Sequence, residues 1–300
     1  AGLLTIGTAP FIYADLYDTR FFREDVADLA TWLRETTTAD DVIFVDQRYP
    51  FGFYYDNFSN RADIEPVGDE QAVAQYLFVD INTIDQRLNE WAADAQRVFW
   101  VQWFESDTDP RRSVHFLLDK EGNRDGERSF QGYRVEWWTL TPPTQFKLAN
   151  RFEPVVYRIP PMIETVEVAF PTEPVLAGES IDVVIRWQRV AHSEINHPLK
   201  ARIALYNGEG ARLLQRDERI LNDRHLLPAE WSMDDQPLNV YNINTTELAS
   251  NGGLPTGTYT VRLLVYDAET LDPFGIVNAD GQPVQDFIEA DIATIQIKSE

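Results

Sequence analysis

The stretch Leu254-Pro-Thr-Gly-Thr-Tyr-Thr-Val-Arg-Leu-Leu-Val-Tyr-Asp267 constrains the fold more than any other part of this chain. A Pro-x-Gly turn leads into a run in which Tyr259, Val261, Leu263 and Val265 fall on alternate positions. Side chains of an extended backbone alternate between faces, so these four share one face and specify a strand with a buried side. Such a strand belongs in an antiparallel sandwich.

Similar runs recur through the back half of the chain. Strands are expected at 164–170, 180–188, 200–207, 211–218, 237–244, 257–267 and 290–297. Seven strands over about 135 residues match an immunoglobulin-like sandwich in count and spacing. Ile181, Val183, Ile185 and Trp187 alternate inward, as do Ile203 and Leu205, and Trp187 is expected in the core. Asn207-Gly-Glu-Gly210 carries the signal of a hairpin turn.

The front half is patterned differently. Phe22, Val26, Leu29, Ala30 and Leu33 fall on one helical face, with Arg23, Glu24, Asp28 and Arg34 largely outside it. Asp40-Asp41 breaks that helix, and Val42-Ile-Phe-Val45 is a short strand apolar on both faces, the habit of a central parallel strand. Ile81, Ile84, Leu88, Trp91, Ala92 and Ala95 write a second helix, which runs into an apolar strand at 98–104. A short helix at 111–119, a Gly-rich turn at Gly122-Asn-Arg-Asp-Gly126 and a strand at Val135–Leu140 follow. The expected architecture is therefore an α/β layered, Rossmann-like domain with a mostly parallel sheet, followed by an all-β immunoglobulin-like sandwich. Pro142-Pro143 and Pro160-Pro161 bracket Phe146–Ile159, read as a last front strand plus connector, which puts the domains at 1–158 and 162–300.

The formal charge is −23, with 15 basic against 27 acidic residues up to Val155 and 11 against 22 beyond it. Acidity spread over the whole surface argues against nucleic acid and anionic lipid as partners, which need basic patches. Cysteine is absent, which excludes disulfides, thiolate nucleophiles and Cys-based zinc sites. No apolar run spans a bilayer, and the first residues lack the basic leader of a signal peptide. An opening as apolar as Ala1-Gly-Leu-Leu-Thr-Ile reads as a piece excised from a longer protein.

No catalytic constellation emerges, and no Gly-x-Gly-x-x-Gly or phosphate loop follows a strand, so no cofactor is implied. Open α/β sheets bind ligands beyond the carboxyl ends of their strands. The first such end, Asp46–Tyr55, holds Arg48, Tyr49, Tyr54 and Tyr55 as candidate ligand-binding residues. Aromatic faces suit sugar rings, and Arg48 suits a phosphate; the same rings could instead cap the sheet and pack inward. Asp107-Thr-Asp109 has metal-binding spacing, but Pro110 makes it an ordinary helix start capped by Asp109. His192, Glu194 and His197 share a loop without a third ligand of the usual spacing, and Asn278, Asp280 and Asp286 do not meet the calcium-loop pattern. No metal site is expected. Asn244-Thr-Thr246 fits a glycosylation sequon by coincidence of composition.

With these residues in view, Phe22-Arg-Glu-Asp-Val-Ala-Asp-Leu-Ala-Thr-Trp-Leu33 followed by Asp40-Asp-Val-Ile-Phe-Val-Asp46 resembles a known arrangement. It is similar to the soluble region after the transmembrane helices of bacterial protein-mannosyltransferase-type (GT-C) glycosyltransferases. Arg97-Val-Phe-Trp-Val-Gln-Trp-Phe-Glu105 with Asp109-Pro110 looks like a later strand of that region. Trp187, Gln215-x-Asp217, Pro228-x-x-Trp231, the Leu254–Tyr259 turn and Tyr266-Asp267 resemble sandwich domains appended to some such enzymes. The resemblance implies a lipid-linked sugar donor, a preceding membrane region and a location on the extracytoplasmic side of a bacterial membrane. It places the catalytic acids on membrane loops outside this chain, so no catalytic residue is carried over. Leu3, Leu4, Ile6 and Phe11 would then be the tail of a last membrane helix. The implied function is an accessory region that positions acceptor or partner; the alternative is a free-standing carbohydrate-binding or adhesion protein.

Overall fold

The computed structural model describes residues 25–60, 62, 64, 67–104, 108–191, 197–245, 254–284 and 287–298. The contacts divide the chain into two compact units that interleave in sequence. The first takes the residues up to Val79, Leu88–Thr108 and Gly122–Gln145. The second takes Asp80–Arg87, Asp109–Glu121 and the chain from Phe146 onward.

In the first unit, α1 (Val26–Thr36) buries Val26, Leu29, Ala30 and Leu33, the face that the helical spacing dictates. The Thr37 hydroxyl donates to the Leu33 carbonyl (2.7 Å) and closes the helix. There follow β1 (Asp41–Val45), the short α2 (Phe51–Tyr54), β2 (Val73–Tyr76), the part of α3 (Ile84–Ala92) from Leu88 onward, β3 (Arg97–Trp103), β4 (Gly122–Phe130) and β5 (Tyr133–Leu140). One sheet forms in the order β2-β1-β3-β5-β4. Its register pairs Val45 with both Tyr76 and Val101. Arg97 locks the start of β3 to that of β1 through Asp41 (2.6 Å).

The expected layered domain with a mostly parallel sheet does not form. Only the two pairs made by β1 are parallel, whereas β3–β5 and β4–β5 are antiparallel, so the sheet is mixed and the Rossmann-like expectation falls. Among the described residues, sixteen strands stand against four α-helices. The error lies at Gly122–Gly126, which forms part of β4 and is not a turn. β4 is an exposed edge strand with almost no apolar side chain, so it lacks the alternation that marks a half-buried strand. Gly126 is required there, because a Cβ would come within 2.6 Å of the Trp137 ring.

The second unit is a β-sandwich of the immunoglobulin-like kind. Its strands are β6 (Glu153–Pro154), β7 (Tyr157–Ile159), β8 (Ile163–Ala169), β9 (Val175–Leu176), β10 (Ser180–Arg189), β11 (Leu199–Tyr206) and β12 (Arg212–Arg219), then β13 (Leu238–Asn244), β14 (Gly257–Asp267), β15 (Val277–Asn278) and β16 (Ala290–Lys298). One sheet runs β13-β10-β8-β7-β15, with β6 also on β8, and the other β12-β11-β14-β16-β9. Pairing is antiparallel except between β16 and β9. Pro160-Pro161 forms the turn of a β7–β8 hairpin, with Ile159 opposite Ile163, so Tyr157–Ile159 joins the sandwich sheet.

Tyr259, Val261, Leu263 and Val265 are all buried in the sandwich core with Ile181, Val183, Ile185, Trp187 and Ile203. Fully burying each aliphatic side chain contributes about 1.5–3 kcal/mol. The Tyr259 hydroxyl donates to the Pro255 carbonyl (2.6 Å), which pins the Pro-x-Gly turn to its own strand. Asn207 accepts from the Glu209 and Ala211 amides (3.1 and 2.8 Å), making the expected hairpin turn between β11 and β12. The opposite face of β10 and β13, with Val184, Leu238 and Val240, is covered by α4 (Ser113–Glu121), which buries Val114, Phe116, Leu117 and Leu118. Asp109 accepts from the Ser113 and Val114 amides (2.8 and 2.9 Å) and so caps α4, but the helix begins at Ser113 and Pro110 lies in the turn before it, not at its first position.

Candidate functional site

Parallel strands leave backbone groups and loop side chains free at their carboxyl ends. In the first unit that end belongs to β1, β2 and β3. The Asp46 carboxylate, one residue beyond β1, accepts the Trp103 amide (3.1 Å) and so binds the exit of β1 to that of β3. Next, Arg48 is exposed and its guanidinium lies 5.2 Å from the Phe58 ring and 5.5 Å from the Tyr76 ring. Tyr49 is 72% exposed. Gly52 lets α2 approach this group closely, since a Cβ there would meet the Tyr76 hydroxyl and the Arg48 stem.

The four residues singled out in the sequence separate into two kinds. Arg48 and Tyr49 stand in the loop beyond β1, accessible to a ligand. Tyr54 is half-buried, in edge contact with Phe53 (5.0 Å), and its carbonyl accepts from Arg34 (3.0 Å). Tyr55 is fully buried: its ring stacks on Phe51 at 5.2 Å and its hydroxyl donates to the Ala72 carbonyl (2.8 Å). Burial pushes its phenol up to about 12. Tyr55 is thus core, and the i, i+4 spacing of Phe51 and Tyr55 is the sequence signal for it.

Sequence reading missed Asp56, Phe58 and Tyr76. The Tyr76 hydroxyl hydrogen-bonds to the Asp56 carboxylate. Burial raises the Asp56 pKa, against the hydrogen bond from Tyr76 and the charges of Arg48 and Arg34. Burial, then Asp56, raises the Tyr76 phenol as well. Asp56 also borders a cleft of about 460 Å³ lined by Ala39, Val67, Gly68, Asp69, Gln71, Val73 and Ala74. The set offers a cation beside ring faces, and carboxylates able to accept hydroxyl protons. That is binding chemistry for a hydroxyl-rich, anionic small molecule.

The other candidates resolve locally. Asp107, His192, Glu194, Thr246 and Asp286 lie outside the described residues. His197 Nδ1 is 2.8 Å from Asp267, and the hydrogen bond to that carboxylate, with its charge, raises the imidazole pKa. Asn278 accepts from the Asp280 and Gln282 amides (3.0 and 2.9 Å) and so shapes a turn. No cluster of three metal-ligating side chains occurs among the described residues.

No known protein family matches this chain, and no curated protein matches it. Among solved structures, it is similar to the CARDB domain of a Pyrococcus furiosus protein solved with di-metal ions, at 12% identity and a TM-score of 0.25, over 44% of this chain and 90% of that one. A Bacteroides uniformis β-glucuronidase matches at 18% identity and a TM-score of 0.24, over 50% of this chain and 15% of its own. An immunoglobulin-like protein from Pseudomonas aeruginosa matches at 14% identity and a TM-score of 0.21, over 50% of this chain and 93% of that one. Similarity at this level carries no conclusion about chemistry. The sandwich described above rests on its own strand pairing.

Proposed function

We propose that this chain is the extracytoplasmic accessory region of a membrane-bound bacterial glycosyltransferase, which positions a glycan acceptor, partner or lipid-linked sugar and leaves the chemistry to another part of the protein. One observation supports this reading above the rest. Arg48 and Tyr49 are presented at the carboxyl end of β1, next to Phe58, Tyr76 and the Asp56 carboxylate. A guanidinium pairs with phosphate, ring faces take sugar, and a carboxylate takes hydroxyls. With the chain at −23, the field opposes an incoming phosphate, so Arg48 acts locally and affinity is weak. No helix among the described residues is long and apolar enough to cross a membrane.

The test is an NMR titration of the chain with glycans and with polyprenyl-phosphate analogues, repeated on Arg48→Ala/Tyr49→Ala. Tyr55 is left alone because its removal would damage the core. Shifts around residues 46–58 that vanish in the double variant support the reading. Shifts that persist in it, or that map to the sandwich around Trp231, favour the free-standing carbohydrate-binding alternative. A complete reading frame without hydrophobic spans ahead of Ala1 would remove the membrane enzyme altogether.

A further inference from the structure

Apart from the Arg48 site, and independent of the function read from it, the first unit holds Arg128 against a group of rings. The Arg128 guanidinium is 5.0 Å from the Trp32 ring and 4.9 Å from the Phe130 ring, and those two rings are 5.6 Å apart. Trp32 also meets Trp137 at 5.7 Å. Beneath them lies the buried Phe99, in contact with Trp32 (6.2 Å) and stacked on Trp137 (6.0 Å). The pleat explains the grouping. Arg128 and Phe130 share one face of β4 with Gly126, which stands opposite Trp137 on β5, and α1 lays Trp32 over that face. Trp32, Phe130 and Trp137 are each half-buried and Arg128 is exposed, so solvent reaches the group.

The neighbouring cations on the same two strands are satisfied differently. Arg124 and Arg134 both pair with Glu136 and Glu127. Among the described residues no carboxylate pairs with Arg128, and its charge rests on ring faces. A contact of that kind at an exposed site is weak, which leaves the guanidinium exchangeable. Asp28 and Glu35, four residues before Trp32 and three after it, are exposed one turn away on the same side of α1. With the chain at −23, they draw cations toward these rings.

We infer that Trp32, Phe130 and Trp137 form a cage for a quaternary ammonium group, with Arg128 as its tethered occupant. The walls offer ring faces and no acceptor for an N–H. A primary ammonium or a guanidinium that enters gives up hydrogen bonds to water, whereas a quaternary ammonium has none to give up. The incoming cation therefore displaces Arg128, whose long stem returns the charge to water. The group arrives either on a soluble molecule of the choline type or on a lipid headgroup.

The test is an NMR titration of the whole chain with tetramethylammonium, read on the indole N–H signals assigned through Trp32→Phe and Trp137→Phe. Both signals should shift in the parent. Arg128→Ala removes the competitor from an exposed strand position and should bind about tenfold more tightly. tert-Butanol, similar in shape but uncharged, should move neither signal. No binding by Arg128→Ala, equal affinity in parent and variant, or equal shifts with tert-butanol overturns the inference. Phe130→Leu, added to Arg128→Ala, keeps an apolar side chain and loses a ring face, and circular dichroism checks that it folds. Affinity should fall several-fold in that double variant, and unchanged affinity also overturns the inference. Vesicles of phosphatidylcholine separate the two sources of the group. Co-sedimentation that tetramethylammonium competes away supports the cage with a lipid headgroup as ligand. Its lack, alongside binding of the free cation, supports the cage with a soluble one.

Discussion

The mixed-sheet unit buries a carboxylate and, although most of its rings are buried, holds several of them out in solvent. Glu136 is almost wholly buried on β5, where the Gln102 amide (2.9 Å) and the guanidinium groups of Arg134 (3.0 Å) and Arg124 converge on its carboxylate. Meanwhile Tyr49, Phe78 and Phe104 stand in solvent. The sandwich buries the rings of Trp187, Trp231 and Tyr241 and leaves that of Phe287 half-exposed. Its ion pairs cross between neighbouring strands away from the core, Arg202 to Asp217 (2.9 Å) and Arg186 to Glu167 (2.6 Å) among them. Rings held in water cost free energy, and among the described residues more of them stand exposed in the first unit than in the second. That difference fits the binding role proposed above for the first unit.

Four variants would break or sharpen that contrast. The largest effect is expected from Trp187→Ala, which empties the centre of the sandwich and should cost it about 3–5 kcal/mol in urea unfolding. A loss below about 1 kcal/mol would mean that the sandwich core does not depend on that ring. Next, Arg124→Met with Arg134→Met strips both cations from Glu136 and should cost the first unit about 3 kcal/mol. Unchanged stability would show that its buried charge is not the organising feature claimed here.

Asp182, on the α4-facing side of β10, is a smaller and opposite case. It accepts from the Asn242 amide (2.8 Å), and burial lifts its pKa from 3.8 to about 6, with Lys120 opposing and Glu121 and Asp119 adding to the rise. A carboxyl whose pKa is raised by folding stabilises the fold in its neutral form. That contribution is complete below about pH 4 and lost as pH rises through about 6. Asp182→Asn should therefore stabilise the sandwich by about 1–2 kcal/mol at pH 7.5 and by little at pH 4. Melting curves showing the gain at pH 4 instead would reverse the assignment. Tyr259→Phe removes the bond to Pro255 and should cost about 1 kcal/mol, with faster amide exchange confined to 254–259. Exchange that rises throughout the sandwich would make that hydroxyl a global strut.

The sandwich was legible because half-buried strands must alternate, and Tyr259 to Val265 do so without interruption. The mixed sheet was legible only at its buried strands. β1 and β3 are apolar on both faces, and such runs do not disclose the direction of their neighbours. β2 is four residues long, and β6, β7 and β9 are shorter still, too brief for any period to show. At the candidate site, Arg48 and Tyr49 followed from the rule about strand ends. Tyr55 did not, because its one mark, the i, i+4 spacing to Phe51, sits on a helix of four residues, too short to show a periodic face. Asp56 and Tyr76 stand twenty residues apart, and only the fold brings them together.

β4 has a consequence for how the molecule behaves in a crowd. As the last strand of its sheet among the described residues, it presents a row of amide and carbonyl groups, the template on which a foreign strand would add. Its side chains are Asn123, Arg124, Asp125, Glu127, Arg128 and Ser129, closed by Phe130. An arriving strand would have to desolvate those charges to zip on, and another copy of β4 would bring the same charges with it. The polarity that hides β4 from a pattern search is thus what guards the open margin against fibre-like growth.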